Sequence, residues 1–328
     1  MSVSFEALWY GKHPLALCLA PVGWLFAAAA LTRKLFYRLR IFPSTRATVP
    51  VIVVGNITVG GTGKTPLTIW AAKELKRHGY CPGVVCRGYK GRANQWPQQV
   101  RSDSDPAMVG DEPVLLAQRT GCPVAAGPDR VAAVAALVAH SGCDVVISDD
   151  GLQHLGLCRD IEIAVLDGER RLGNGRCLPA GPLREPAGRL KRVDFVVTNG
   201  RAETGEVGMR TCLGDAASLR DPALRRPLQA FRGRPVHAVC GIGNPTRFFN
   251  QLEAAGLETI RHAFPDHHHF LRREIEFEDG NAVLMTEKDA VKCARLASEG
   301  QWVVPVDAVL PDSFSKALVE KLQRLSAC

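Results

Sequence analysis

Residues 51–77 read VIVVGNITVGGTGKTPLTIWAAKELKR, and this stretch decides the fold. Val51 to Val54 is an apolar, β-branched run of the kind found in a strand buried on both faces. From Thr68 onward the apolar positions recur at helical spacing. Between the two lies a glycine-rich turn, Gly60, Gly61, Thr62, Gly63, Lys64 and Thr65. A strand, such a loop and a helix in that order cradle phosphate. The glycines let backbone N–H groups turn toward phosphate oxygens, Lys64 can reach the β- and γ-phosphates of ATP, Thr65 can hold Mg²⁺, and the helix N-terminus adds partial positive charge. The loop departs from G-x-x-x-x-G-K-T at one place, where Thr58 stands for the first glycine.

A second apolar run, DVVIS, ends in Asp149-Asp150 about 85 residues later. A phosphate-loop fold places its Mg²⁺-binding carboxylate there. Adjacent strand residues point to opposite faces, so the two aspartates are expected to have different duties, one of them on Mg²⁺. Strand-like runs recur at 51–54, 83–86, 122–126, 144–148, 161–166 and 194–198, separated by helical or glycine-rich segments. That is the pattern of an α/β protein with a doubly wound, mostly parallel sheet. The chain then turns polar and irregular before strands resume near 236–240, 282–286 and 302–306. The expected organisation is a membrane-associated helical segment (1–46), a nucleotide-binding domain (47–200), a linker (201–234) and a smaller α/β domain (235–328).

With 328 residues, 46% hydrophobic and 23% charged, the chain has ample material for a core, which excludes disorder and disulfide miniatures. Eleven cysteines never form C-x-x-C, which fits a reducing cytosolic compartment. Of the net charge of +8, five units lie in the first 50 residues, where Lys12, Arg33, Lys34, Arg38, Arg40 and Arg46 face only Glu6. A basic excess so placed points to an anionic membrane surface, and no nucleic-acid motif is present. Pro14 to Thr32 carries no charge. As a helix it spans roughly 28 Å against a hydrocarbon core of about 30 Å, so a kinked span and a shallow insertion both stay open. Lys12 with Glu6 makes a poor basic n-region, while Arg33, Lys34, Arg38 and Arg40 follow the apolar run, which opposes a cleaved signal peptide. Leu31, Leu35, Leu39 and Phe42 follow at helical spacing among the bases, as in a helix lying in a headgroup layer.

Further blocks are CRGYKG (Cys86 to Gly91), GDEP (Gly110 to Pro113), DDGLQH (Asp149 to His154), GNGRCLPAGPLREP (Gly173 to Pro186), PDHHHF (Pro265 to Phe270) and TEKDAVK (Thr286 to Lys292). Together with the phosphate loop they resemble the tetraacyldisaccharide 4'-kinase (lipid A 4'-kinase) family over most of the chain. The resemblance implies an enzyme on the cytoplasmic face of the inner membrane that uses ATP and Mg²⁺. It would phosphorylate the 4'-hydroxyl of an acylated glucosamine disaccharide 1-phosphate. It implies Asp111 as catalytic base, His267 as its support, and Arg184 near the substrate. No obligate protein partner follows from it.

The residues alone leave alternatives. Asp111, before EPVLLAQR, is also a good helix N-cap. Three consecutive histidines cannot share one face, so a metal site in PDHHHF ranks below an ordinary loop. His154 reads as a contact or as a supporting residue, not as a catalyst. TEKDAVK reads locally as a capping box, Thr286 with Asp289, and receives no chemistry. Two other functions compete with the lipid kinase: a membrane-recruited NTPase switch, and a soluble small-metabolite kinase that leaves the apolar N-terminus unexplained.

Overall fold

A computed structural model of the chain describes residues 5–11 and 13–326. Lys12 and Cys328, counted above among the bases and the cysteines, lie outside the described residues. Three helices open the chain: α1 (Phe5–Tyr10), α2 (Leu15–Cys18) and α3 (Ala20–Arg38). The larger domain follows with β1 (Val51–Gly55), α4 (Lys64–Arg77), β2 (Pro82–Cys86), β3 (Gln98–Val100), α5 (Pro106–Val109), α6 (Asp111–Thr120), β4 (Val124–Ala126), α7 (Arg130–Ser141), β5 (Val145–Asp149), β6 (Ile161–Asp167), β7 (Phe195–Asn199) and β8 (Val207–Leu213). The smaller domain holds β9 (Ala216–Ser218), β10 (Arg225–Arg226), β11 (Val236–Cys240), α8 (Pro245–Ala254), β12 (Thr259–Ala263), β13 (Val283–Thr286), α9 (Glu287–Cys293) and β14 (Gln301–Val304). The chain then re-enters the larger domain as β15 (Val306–Val309) and α10 (Asp312–Ser326).

The large sheet runs β15-β8-β7-β6-β1-β5-β2-β4-β3, parallel throughout except for its two edge strands, β3 and β15. Alternation along β1 explains the two-sided burial. Ile52 and Val54 join Leu67, Leu75 and Leu116 of α4 and α6 in one core, while Val51 and Val53 join Val134 and Leu137 of α7 in the other. Phe314 of α10 completes the first core, stacked on Trp70 at 5.4 Å and edge-on to Phe195 at 5.2 Å. The small sheet runs β10-β9-β14-β13-β11-β12, with β9 and β10 antiparallel.

Two expectations need correction. The stretch 201–234 is not an irregular linker, because β8 lies within the large sheet, parallel to β7, and β9 and β10 belong to the small one. Only Met209 of β8 is buried, so its seven residues read as polar. Nor does the smaller domain run to the C-terminus, since β15 and α10 leave it.

The apolar run 14–32 is not one helix either. The chain breaks at Leu19, and Pro21 sits in the first turn of α3, where its missing N–H costs nothing. No helix among the described residues is long and apolar enough to cross a membrane. The start of α3 instead grips the larger domain. Gly23 lies so close to Cys177 that an added Cβ would meet its carbonyl oxygen at 2.9 Å, and in the preceding α1 the Trp9 indole donates to the Pro179 carbonyl at 3.0 Å. Trp24, Leu25, Leu31, Leu35 and Leu39 face outward.

Candidate active site

The C-terminal ends of β1 and β5 open into a cleft of 1410 Å³ that reaches from α3 across the phosphate loop to the smaller domain. Glycine is required at position 63, the residue before α4. Its φ of 99° is left-handed, and a Cβ there would lie 2.7 Å from Nδ2 of Asn199 and 2.9 Å from Cε of Met209. Asn199 also donates to the Thr62 carbonyl at 3.3 Å, which ties the loop to the end of β7. From the other side the GPLREP segment pairs with the loop backbone: Val59 donates to the Pro182 carbonyl at 2.8 Å, and Arg184 donates to that of Ile57 at 2.7 Å.

Lys64, Thr65, Asp149 and Asp150 all line the cleft, and the two aspartates have different surroundings. Asp149 ends β5, is 2% exposed and accepts from the Thr68 hydroxyl at 3.0 Å. Burial, followed by the nearby charges of Glu112 and Asp150, pushes its carboxyl up to about 7. Asp150 turns away with φ of 48°. It lies 3.6 Å from the Lys64 ammonium and 3.3 Å from Nη1 of Arg184. Burial works to raise its pKa, but Lys64 and then Arg184 outweigh that and hold it below the usual carboxylate range.

The structure brings Asp111 and His267 together across the domain boundary: Oδ2 of Asp111 is 2.9 Å from Nδ1 of His267. The residue capping α6 is Gly110, at φ of 96°, with no side-chain cap. Asp111 is the first helical residue and its Oδ1 accepts only the adjacent Glu112 N–H, at 2.9 Å, so the N-cap reading fails. Burial raises the Asp111 pKa, yet the His267 bond and the Lys288 charge bring the balance below the ordinary value. His267 lines the cleft, whereas Asp111, 5% exposed, sits just behind it. The neighbouring His268 turns elsewhere, to Oε2 of Glu274 at 3.0 Å. His154 lines the cleft, its pKa brought down to about 4 by burial and by Arg130.

Several cleft residues were not singled out from sequence. Lys288 lies 3.4 Å from Nε2 of His267. Arg130, 2% exposed, donates to the Asp149 carbonyl at 3.1 Å, fixing the end of β5. Arg247 of α8 reaches Asp167 at the end of β6, 2.9 Å away, and so joins the domains. The TEKDAVK block held the signal for Lys288. Nothing local marked the two arginines.

The family model described as Tetraacyldisaccharide-1-P 4'-kinase matches residues 15–323. A tetraacyldisaccharide 4'-kinase of Nitrosococcus oceani is 54% identical over 96% of this chain and 93% of its own. That of Alkalilimnicola ehrlichii is 50% identical over 97% of both. A crystal structure of LpxK from Aquifex aeolicus in complex with ATP superposes with a TM-score of 0.80 at 27% identity, covering 94% of this chain and 99% of that one. With the family model matched over most of the chain and relatives covered nearly end to end, the chain belongs to the tetraacyldisaccharide-1-phosphate 4'-kinase family.

Proposed function

We propose that this enzyme transfers the γ-phosphoryl group of ATP to the 4'-hydroxyl of an acylated glucosamine disaccharide 1-phosphate, working at the cytoplasmic face of the inner membrane. The observation that carries the reading is one cleft lined by the phosphate loop, His267 and one face of α3, with Asp111 bonded to His267 just behind it. Phe26, Ala29, Ala30, Arg33 and Lys34 of that helix line the cleft at helical spacing, so acyl chains and an anionic headgroup find apolar and basic wall in one groove. The outward face of α3 is apolar and its last turns are basic, as for a helix resting in an anionic headgroup layer.

The loop amides and Lys64 hold the β- and γ-phosphates in line with the acceptor oxygen. Asp149 is a buried carboxylate that accepts from the Thr68 hydroxyl, makes no ion pair within contact distance among the described residues, and shares the cleft with Asp150 and Thr65. That set fits Mg²⁺, which Thr65 and Asp149, with Asp150 beside them, would hold. When bound, the ion neutralises charge on the phosphates. Asp111 takes the hydroxyl proton, with His267 of the smaller domain as its hydrogen-bond partner. Arg184 steadies Asp150 and lies where it can meet phosphate oxygens.

The deciding measurement is ADP release and acceptor phosphorylation, with and without acylated disaccharide 1-phosphate in mixed micelles. The expected result is acceptor-dependent ADP release matched one-for-one by 4'-phosphorylated product. ADP released at the same rate without acceptor would establish an NTPase switch instead, and turnover of a soluble sugar in preference to the lipid would establish a small-metabolite kinase.

A further inference from the structure

The start of α9 meets the start of α6 across the domain boundary. Glu287 pairs with Arg119 and accepts the Val306 N–H at 3.0 Å, so this end of α9 is fixed. The next residue, Lys288, is 16% exposed and places Nζ 3.0 Å from Oε1 of Glu112, 3.2 Å from Oδ1 of Asp266 and 3.4 Å from Nε2 of His267. An ammonium group has three donors and no acceptor, so each neighbour must accept. Two are carboxylates and do so readily. The third, Nε2 of His267, must therefore present a lone pair. An imidazole with its lone pair on Nε2 carries its single proton on Nδ1, and Nδ1 is the atom 2.9 Å from Asp111.

We propose that Lys288 is a positioning residue of the phosphoryl transfer: by donating to Nε2 it fixes the tautomer of His267, so that the ring's N–H is aimed at Asp111. The proposal rests on the reading of Asp111 as base. Asp111, which can only accept, favours the same proton position from Nδ1, and Lys288 secures it from Nε2, where no other donor stands among the described contacts. Asp266 stands 3.8 Å from Nε2 and would need the proton there, but Lys288 is nearer. Tyr89, on the segment after β2, meets the ring at 5.1 Å between centroids, and Lys292, one turn along α9, acts on Asp111 and not on Nε2. Glu112 and Asp266 in turn hold the ammonium in place, and they reinforce its charge against the cost of its burial. Asp111 thus meets a neutral N–H donor. An imidazolium in its place would draw on the carboxylate and weaken it as a base.

The test uses the full-length enzyme carrying ¹⁵N-labelled histidine, without nucleotide, with the His267 signals assigned by their loss in His267→Gln. Long-range ¹H–¹⁵N spectra should show the proton of His267 on Nδ1. In Lys288→Met a proton should also appear on Nε2, drawn by Asp266, and kcat should fall about tenfold or more while KM for ATP stays within about threefold. Lys288→Arg should restore both. A wild-type ring with its proton on Nε2 overturns the proposal, and this result needs no variant to fold. So does a Lys288→Met enzyme whose ring keeps the Nδ1–H form unmixed. The spectra need no turnover, so they separate this failure from that of the base assignment, which an active Asp111→Asn enzyme would reveal.

Discussion

Lys64 and Asp111 differ in how they came to notice. Lys64 sits in a contiguous pattern whose geometry follows from its own glycines, and its ammonium strengthens its hold as the γ-phosphoryl group moves. Lys64→Ala should therefore lower kcat by about 10²–10³ with the melting temperature nearly unchanged, as read by steady-state kinetics and calorimetry. Asp111 meets a partner 156 residues away, and no local rule joins the two. Only the resemblance to a family brought His267 forward. Because Gly110 and not Asp111 caps α6, Asp111→Asn should keep the melting temperature and lose about 10²–10⁴ in kcat. A stable, fully active Asn enzyme would remove the base. Lys288 escaped notice because a sufficient local account already existed. Thr286 does cap α9, accepting from the Asp289 N–H at 3.3 Å, and that reading is silent about a side chain aimed at the other domain.

Among the elements, α3 carries two kinds of surface on one rod. Its cleft-lining positions recur every three to four residues, and the opposite side exposes Trp24 at 68% and Leu25 at 71%. Burying such side chains in a headgroup layer contributes about 1–2 kcal/mol each. Changing Trp24, Leu25, Leu31 and Leu35 to Gln should abolish co-sedimentation with anionic vesicles while ATP affinity persists. Neutralising Arg33, Arg38 and Arg40 should weaken binding at low salt and matter little at high salt. The amphipathic basic stretch was legible, but the apolar run before it was measured as one helix because charge counting does not see the break at Leu19. Strand β8 was illegible for a related reason, its one-sided burial leaving few apolar residues to count. Its entry is held by Glu206, which accepts from Arg171 at 2.7 Å and Thr198 at 2.7 Å. Led by the Arg171 bond, these contacts bring the Glu206 carboxyl down from 4.5 to about 2. A depressed folded-state pKa gives stability that is present above about pH 4.5 and lost as pH falls toward 2. The melting-temperature gap between wild type and Glu206→Gln should be widest near neutrality, narrow below that upper value and close near the lower one.

At the scale of the whole molecule, the two domains are joined by charges as well as chain. Arg247→Ala removes the Arg247–Asp167 link, 2.9 Å long. It should raise KM for ATP several-fold and enlarge the nucleotide-free particle in small-angle scattering, with ATP restoring the compact form. Unchanged scattering would show that the other contacts across the boundary, those of Arg119, Lys288 and His267 among them, hold the domains without it. The placement of β15 and α10 carries a different consequence. These last elements, 306–326, supply an edge strand beside β8 and the Phe314 ring over Trp70 and Phe195. A ribosome delivers them only after the entire smaller domain has emerged. Until then a sheet edge stays unpaired and two aromatic rings stay bare, so the nascent larger domain waits as a client for chaperones. A stop codon at Pro305 would leave every residue of the phosphate loop, Asp111, His267 and Lys288 intact in the message, and yet yield an aggregating product.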